Sequence, residues 1–222
     1  MVKNIIFDFD GTLVDSAEDI IDCLKSAYSF AGIKYHIEID RKVIGPPLKK
    51  ILCSISPSIN SEEEELLVNY FRNCYDNCGY TRTTLYDGIS DLLTQLKNKN
   101  KRLFIVTNKP DNPTRGIINN LGICFFDEVI CIDNFTENSN NRSKGAMISY
   151  LINKNGLNRN STVMVGDSVE DICAAQDNSL ISIAVLNGYG QENAIKENKP
   201  DYILDKTKDL LELVSLIDKS DY

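Results

Sequence analysis

The sequence has no apolar run of the ~18–20 residues that a membrane-spanning helix needs, so a membrane partner is not expected. Its apolar start, Met1–Phe7, is too short for a secretory signal and is interrupted at once by Asp8 and Asp10. The expectation is a cytoplasmic protein. Positive charge is also scarce: 24 Lys and Arg face 32 Asp and Glu, a formal net charge of −8. Duplex nucleic acid demands a basic face, so no nucleic-acid partner is expected. Seven cysteines fall at irregular spacing. Cys74 and Cys78 are four apart with no second Cys/His pair nearby, which favours ordinary helix packing over a zinc site. Reduced thiols are the expected state. There is no internal repeat, and the one low-complexity patch, Asn138–Arg142, reads as an exposed loop.

What is present is an alternation. The 222 residues are 42% hydrophobic, enough to bury the core of one α/β domain, or of a domain with a smaller insert. Lys3–Phe9, Lys101–Thr107, Glu128–Ile132, Thr162–Gly166 and Leu180–Val185 read as strands. Gly88–Lys97, Asn112–Asn120, Lys144–Asn153, Val169–Asp177 and Thr207–Ile217 read as helices between or after them. This order predicts a parallel sheet with helices on both faces. Ser16–Arg82 breaks the alternation and looks helical, with helices over Ala17–Ala31 and Pro47–Ser54. A longer one opens at Ser61, read as an N-cap, with Glu62–Glu65 at the positive end of the helix dipole. A helical domain inserted after the first strand is the expectation.

Acidic residues stand at two strand ends. Asp8 and Asp10 lie in Phe7-Asp8-Phe9-Asp10-Gly11-Thr12, two apart and so on one side of an extended strand, ~6.6 Å along it. An acidic turn would explain Asp10-Gly11 but not Asp8, which follows an apolar run. A buried carboxylate costs several kcal/mol unless paired or bound to metal. Asp167 and Asp171, in Gly166-Asp167-Ser168-Val169-Glu170-Asp171, are four apart and would share a helix face. An acid-rich helix start explains them equally well when they are taken alone. All-oxygen acidic clusters suit magnesium. Thr107-Asn108-Lys109 ends a strand, where a hydroxyl and backbone N–H groups would suit phosphate oxygens, but a plain loop with surface Asn and Lys is the simpler reading. Lys144, opening a helix, is by itself an ordinary solvated lysine.

Together these segments resemble the haloacid dehalogenase-like hydrolase superfamily, in its phosphoglycolate phosphatase-like branch. The resemblance runs from the first strand to the last helix. It rests on Asp8-Phe9-Asp10-Gly11-Thr12-Leu13-Val14-Asp15-Ser16, then Thr107-Asn108, then Lys144, then Gly166 to Asp171. Ile44-Gly45-Pro46-Pro47-Leu48 resembles that branch's specificity loop, and Gly188-Tyr189-Gly190 and Pro200-Asp201-Tyr202-Ile203 are also similar to it. One departure is Gly145-Ala146 after Lys144, where many relatives carry proline. The implied fold is α/β: a Rossmann-like parallel core of residues 1–15 and 83–222, with a helical cap of residues 16–82.

The resemblance implies a magnesium-dependent (Mg2+) phosphomonoester hydrolase acting on a small phosphoglycolate-like ester. Asp8 would attack phosphorus and form an aspartyl phosphate, and Asp10 would serve as acid and base. Asp8, Asp10 through its carbonyl, and Asp167 would hold the metal, with Asp171 behind them. Thr107, Asn108 and Lys144 would hold the phosphate, and the cap loop Gly45, Pro46, Pro47 would select the leaving group. Arg41, Lys42, Lys49 and Lys50 flank that loop as a cationic cluster suited to a second negative group, or simply as solvated side chains. The protein would be a monomer or homodimer. A nucleotidase, a pyrophosphatase, a sugar-phosphate mutase and a non-catalytic phosphate sensor are the alternatives. A dehalogenase is disfavoured, because a halide needs neither an acid nor a metal.

Overall fold

A computed structural model describes residues 1–135 and 143–220. The low-complexity stretch Asn138–Arg142 lies outside the described residues. In chain order the elements are β1 (Asn4–Phe7), β2 (Val14–Asp15), α1 (Ala17–Ala31), α2 (Leu48–Ile55), α3 (Ser61–Asn77), β3 (Thr84–Leu85), α4 (Ile89–Asn98), β4 (Arg102–Thr107), α5 (Asp111–Leu121), β5 (Glu128–Cys131), α6 (Lys144–Asn155), β6 (Thr162–Gly166), α7 (Val169–Asp177), β7 (Ile181–Val185), α8 (Glu192–Glu197), β8 (Tyr202–Leu204) and α9 (Leu210–Ser220). The chain forms two compact units: Ser16–Thr84, and Met1–Asp15 with Leu85 onward.

The second of these is built on a parallel sheet of order β5-β4-β1-β6-β7-β8. Its central strands, Asn4–Phe7 and Thr162–Gly166, are buried along their whole length, which is why they read as continuous apolar runs. From β1 the chain moves outward to β4 and β5, then returns to place β6 on the other side of β1. The strand order therefore reverses around β1, and open α/β sheets bind ligands at the carboxyl ends of such strands. Ile6, Phe104 and Met164 of the sheet pack with Met147, Ile148 and Leu151 of α6 and with Ala175 of α7. That packing fixes where α6 and α7 begin.

Several boundaries differ from the sequence expectation. The first strand stops at Phe7 rather than Phe9. Asp8 N still donates to Val165 O at 2.9 Å, but the Phe9 carbonyl accepts from Leu13 N at 2.9 Å and Val14 N at 3.1 Å, closing a turn. Gly11 makes that turn with φ 83°, a region open to glycine. Asp8 and Asp10 therefore do not alternate along one strand. Asp167 and Asp171 do not share a helix face either. Asp167 precedes the N-cap, Ser168, whose hydroxyl caps the Asp171 backbone N–H while the Asp171 side chain caps Ser168 in return. The final helix begins at Leu210 after a 3-10 turn over Thr207–Asp209, because Thr207 is tied to the core. Its hydroxyl donates to Thr12 O at 2.9 Å and its N–H to Asn187 Oδ1 at 2.9 Å. α8 and β8 were not expected as elements. β8 is an edge strand of three residues, anchored where Asp201 Oδ2 accepts from Ser182 N at 2.8 Å.

The helical unit packs α1 against α3 around Leu24, Tyr28, Leu52, Ile55 and Leu67, all buried. The N-cap of α3 is Asn60, one residue before the expected Ser61. Asn60 Oδ1 accepts from Glu62 N and Glu63 N, and Glu63 Oε2 accepts from Asn60 N, a complete capping box. Buried Asp19 accepts from Thr83 Oγ1 at 2.6 Å and from Arg82 N, fixing the end of the unit to α1. Gly45, Pro46 and Pro47 form an exposed turn, with Gly45 at φ 113°. The expected cationic cluster around it is partly neutralised: Arg41 pairs with Glu18 at 3.4 Å and Lys49 with Glu64 at 2.6 Å. All seven cysteines are free thiols, and Cys74 packs its Sγ 2.7 Å from that of Cys23. Among the described residues, no helix is long and apolar enough to cross a membrane.

Candidate active site

Adjacent strands bring their carboxyl ends together. Phe7 of β1 stands beside Ile105 of β4 and Val165 of β6, so the residues after each strand meet at one edge of the sheet. Asp8 follows β1, Thr107 closes β4, Asp167 follows β6, and Lys144 and Asp171 lie in the first turns of α6 and α7. Oxygens of Asp8, Asp167 and Asp171 lie within 4.8 Å of one another, and all three residues are buried. Lys144 Nζ is 2.6 Å from Asp171 Oδ1 and 2.9 Å from Asp8 Oδ1. Ser143 Oγ accepts from Ala146 N at 3.2 Å and so fixes the helix start that carries Lys144.

The electrostatics follow from this crowding. Burial pushes the Asp8 carboxyl well above its ordinary range; Lys144 opposes the rise, while Asp171 and Asp167 add to it. Burial and then Asp171 raise Asp167 to about 6. Burial alone would lower Lys144, but the Asp171 and Asp8 carboxylates outweigh it and hold the ammonium above its usual value. Three buried carboxylates against one ammonium leave an unbalanced negative cluster with oxygen-only donors. That donor set fits a hard divalent cation such as magnesium.

Asp167 is held by neutral donors. Thr12 Oγ1 donates to its Oδ1 at 3.1 Å, and the backbone N–H groups of Tyr189 and Gly190 donate to its Oδ2 at 2.7 and 3.3 Å. A Cβ at Gly11 or Gly188 would overlap the Asp167 side chain, so a larger residue at either position would displace it. Asp171 is bound differently. Its Oδ2 accepts from Ser168 N at 3.0 Å and Ser168 Oγ at 2.6 Å, while its Oδ1 faces the Lys144 ammonium. Asp171 thus has its charge paired, whereas the groups that bind Asp167 are neutral.

Other expected site residues are placed as follows. The Asp10 side chain lies outside the carboxylate triad and pairs with Lys109 Nζ at 3.1 Å. Thr107 is buried, and its Oγ1 accepts from Lys109 N at 3.1 Å. The Asn108 side chain is turned to Glu170, donating to Oε2 at 2.8 Å. Gly45, Pro46 and Pro47 belong to the helical unit. The sequence reading missed Lys109, Thr12 and Ser168. Lys109 carried no signal beyond following Thr107-Asn108, whereas the glycines around Tyr189 were visible as a motif.

Residues 5–185 match the family model described as haloacid dehalogenase-like hydrolase. The chain belongs to this family. A phosphoglycolate phosphatase of Vibrio cholerae is 29% identical over 222 residues, spanning 96% of this chain and 97% of that protein. A tyrosine-protein kinase of Mycobacterium tuberculosis is 30% identical over 195 residues, spanning 86% of this chain and 64% of that protein. Among solved structures, a predicted phosphoglycolate phosphatase from Haemophilus somnus superposes with a TM-score of 0.84 at 27% identity, covering 96% of this chain and 98% of that one. As a member of the haloacid dehalogenase-like hydrolases, the chain carries its acidic cluster on the strand ends of the matched region.

Proposed function

We propose that the protein hydrolyses a small phosphate monoester, phosphoglycolate or a similar anionic metabolite, through an aspartyl phosphate on Asp8, with magnesium as cofactor. Family membership makes it a hydrolase, and its phosphatase relatives support this phosphatase reading. The observation that carries it is the convergence of buried Asp8 with Asp167, Asp171 and Lys144 at the reversal of strand order.

The Asp8 carboxylate attacks phosphorus as the bond to the leaving oxygen breaks, and Asp10 gives that oxygen its proton. Water then attacks the phosphorus of the aspartyl phosphate; its proton returns to Asp10, phosphate leaves, and Asp8 is restored. Asp8 and Asp167, with the main-chain carbonyl of Asp10, would hold the metal, and charge-paired Asp171 would support from behind through Lys144. When bound, magnesium would supply positive charge that keeps the nucleophile ionised and offsets its repulsion of the phosphate. The Thr107 hydroxyl, the Asn108 backbone N–H and the Lys144 ammonium are assigned to the transferring oxygens, which is a positioning and electrostatic role.

Leaving-group selection is assigned to the Gly45-Pro46-Pro47 turn of the helical unit. There Pro46 and Pro47 fix φ and hold the turn's shape. Pro46→Gly should reorder activity among phosphoglycolate, nucleotides and sugar phosphates; an unchanged order would remove the assignment. The whole reading is tested by phosphate release from a panel of such esters. Turnover with magnesium, abolished by a chelator and restored by added metal, is expected. Turnover that survives excess chelator would contradict the metal role, and no turnover on any ester would contradict the phosphatase reading.

A further inference from the structure

Asp10 is held by a lysine that the sequence motifs did not single out. Lys109 Nζ donates to Asp10 Oδ1 at 3.1 Å; the lysine side chain is 5% exposed, against 22% for the aspartate. A surface ion pair of this type contributes little, but a buried ammonium is costly unless a charge faces it. The burial of Lys109 therefore marks the pair as part of the built structure rather than a chance surface contact.

We infer that Lys109 is a positioning residue that orients Asp10 for proton transfer; this rests on the phosphatase reading above. Asp10 sits in the turn after β1, whose backbone is set by Gly11 and the Phe9 carbonyl, and Lys109 holds its side chain through Oδ1. Lys109 reaches it from the end of the neighbouring strand β4, its own backbone N–H fixed on Thr107 Oγ1 at 3.1 Å. An ammonium donates hydrogen bonds and cannot accept them. Oδ1 of Asp10 is therefore the accepting oxygen, and the proton handed to the leaving group is carried on Oδ2. Loss of Lys109 removes this hold on Oδ1, which weakens proton transfer without removing the acid.

The role separates from a direct phosphate contact by its dependence on the leaving group. An alkoxide needs the proton from Asp10, whereas p-nitrophenolate is stable without it. The specificity constant kcat/KM covers steps only through ester cleavage, so it isolates this half of the reaction. It should be measured for phosphoglycolate and p-nitrophenyl phosphate in the wild type, Lys109→Met and Lys109→Arg. Lys109→Met should lose about 100-fold on phosphoglycolate, the low end of what a positioned acid contributes. The loss on p-nitrophenyl phosphate should be smaller by at least about tenfold, which also reports an intact fold. Lys109→Arg, which keeps a donor and the charge, should recover part of the phosphoglycolate loss. Equal losses on the two esters would overturn the inference in favour of phosphate contact or fold damage, and no loss on either would overturn it outright. A wild type inactive on both esters would instead overturn the phosphatase reading, and this inference with it.

Discussion

Lys144 Nζ stands 2.9 Å from Asp8 Oδ1, both groups buried at the end of β1. The same ammonium touches Asp171 at 2.6 Å, so one cation bridges the proposed nucleophile and the residue that caps α7. Its removal would leave three crowded carboxylates without the cation that Asp8 and Asp171 share. Lys144→Met is expected to destabilise the fold by about 3–5 kcal/mol, the usual cost of breaking a buried pair. It should also abolish phosphate release. A thermal melt checks the first effect; an unshifted midpoint would mean that the bridge contributes nothing to the fold.

Asp167 carries a pH signature. Its carboxyl is raised from the ordinary 3.8 to about 6, first by burial and then by Asp171. Without metal, the folded state holds this proton more tightly than the unfolded state does. Stability from this group is therefore lost as pH rises from about 3.8 to about 6. Metal binding needs the ionised form, so the sign reverses for the cation. The rise in melting temperature caused by magnesium should be small below about pH 6 and grow above it. A magnesium effect that is constant from pH 5 to pH 8, on the order of the range where such groups titrate, would contradict the assignment of Asp167 as a ligand.

Gly188 touches the same carboxylate. Gly188→Ala places a methyl group where the Asp167 side chain sits, so one of them must move. The expected result is weaker magnesium binding with only a modest change in the melting temperature of the metal-free protein. Calorimetric titration with magnesium measures it, and wild-type affinity would show that the close packing is not required.

The strands were legible because their residues are unbroken apolar runs. Thr162–Gly166 and Val169–Asp177 have the same bounds in the sequence reading and in the structure. What failed was geometry that periodicity does not carry: tight turns and caps close by, and contacts with partners far along the chain. The turn at Phe9–Gly11 and the capping at Ser168 displaced the simple periodicities assumed for Asp8 with Asp10 and for Asp167 with Asp171. Thr207 delayed the start of a predicted helix to Leu210 because it bonds to Thr12, 195 residues away. Lys109 was read as a surface residue because its burial and its contact with Asp10 arise only when β4 lies beside β1. A lysine after a strand looks the same in sequence whether it is solvated or enclosed.

The central claim is that Asp8 becomes phosphorylated. Borohydride reduces an acyl phosphate to an alcohol, so an aspartyl phosphate trapped during turnover becomes homoserine. The enzyme should be quenched with borohydride while turning over substrate with magnesium, then mapped by peptide mass spectrometry. Homoserine at position 8, absent without substrate and absent in Asp8→Asn, is the predicted result. Steady phosphate release with Asp8 unmodified, together with undiminished turnover by Asp8→Asn, would contradict it.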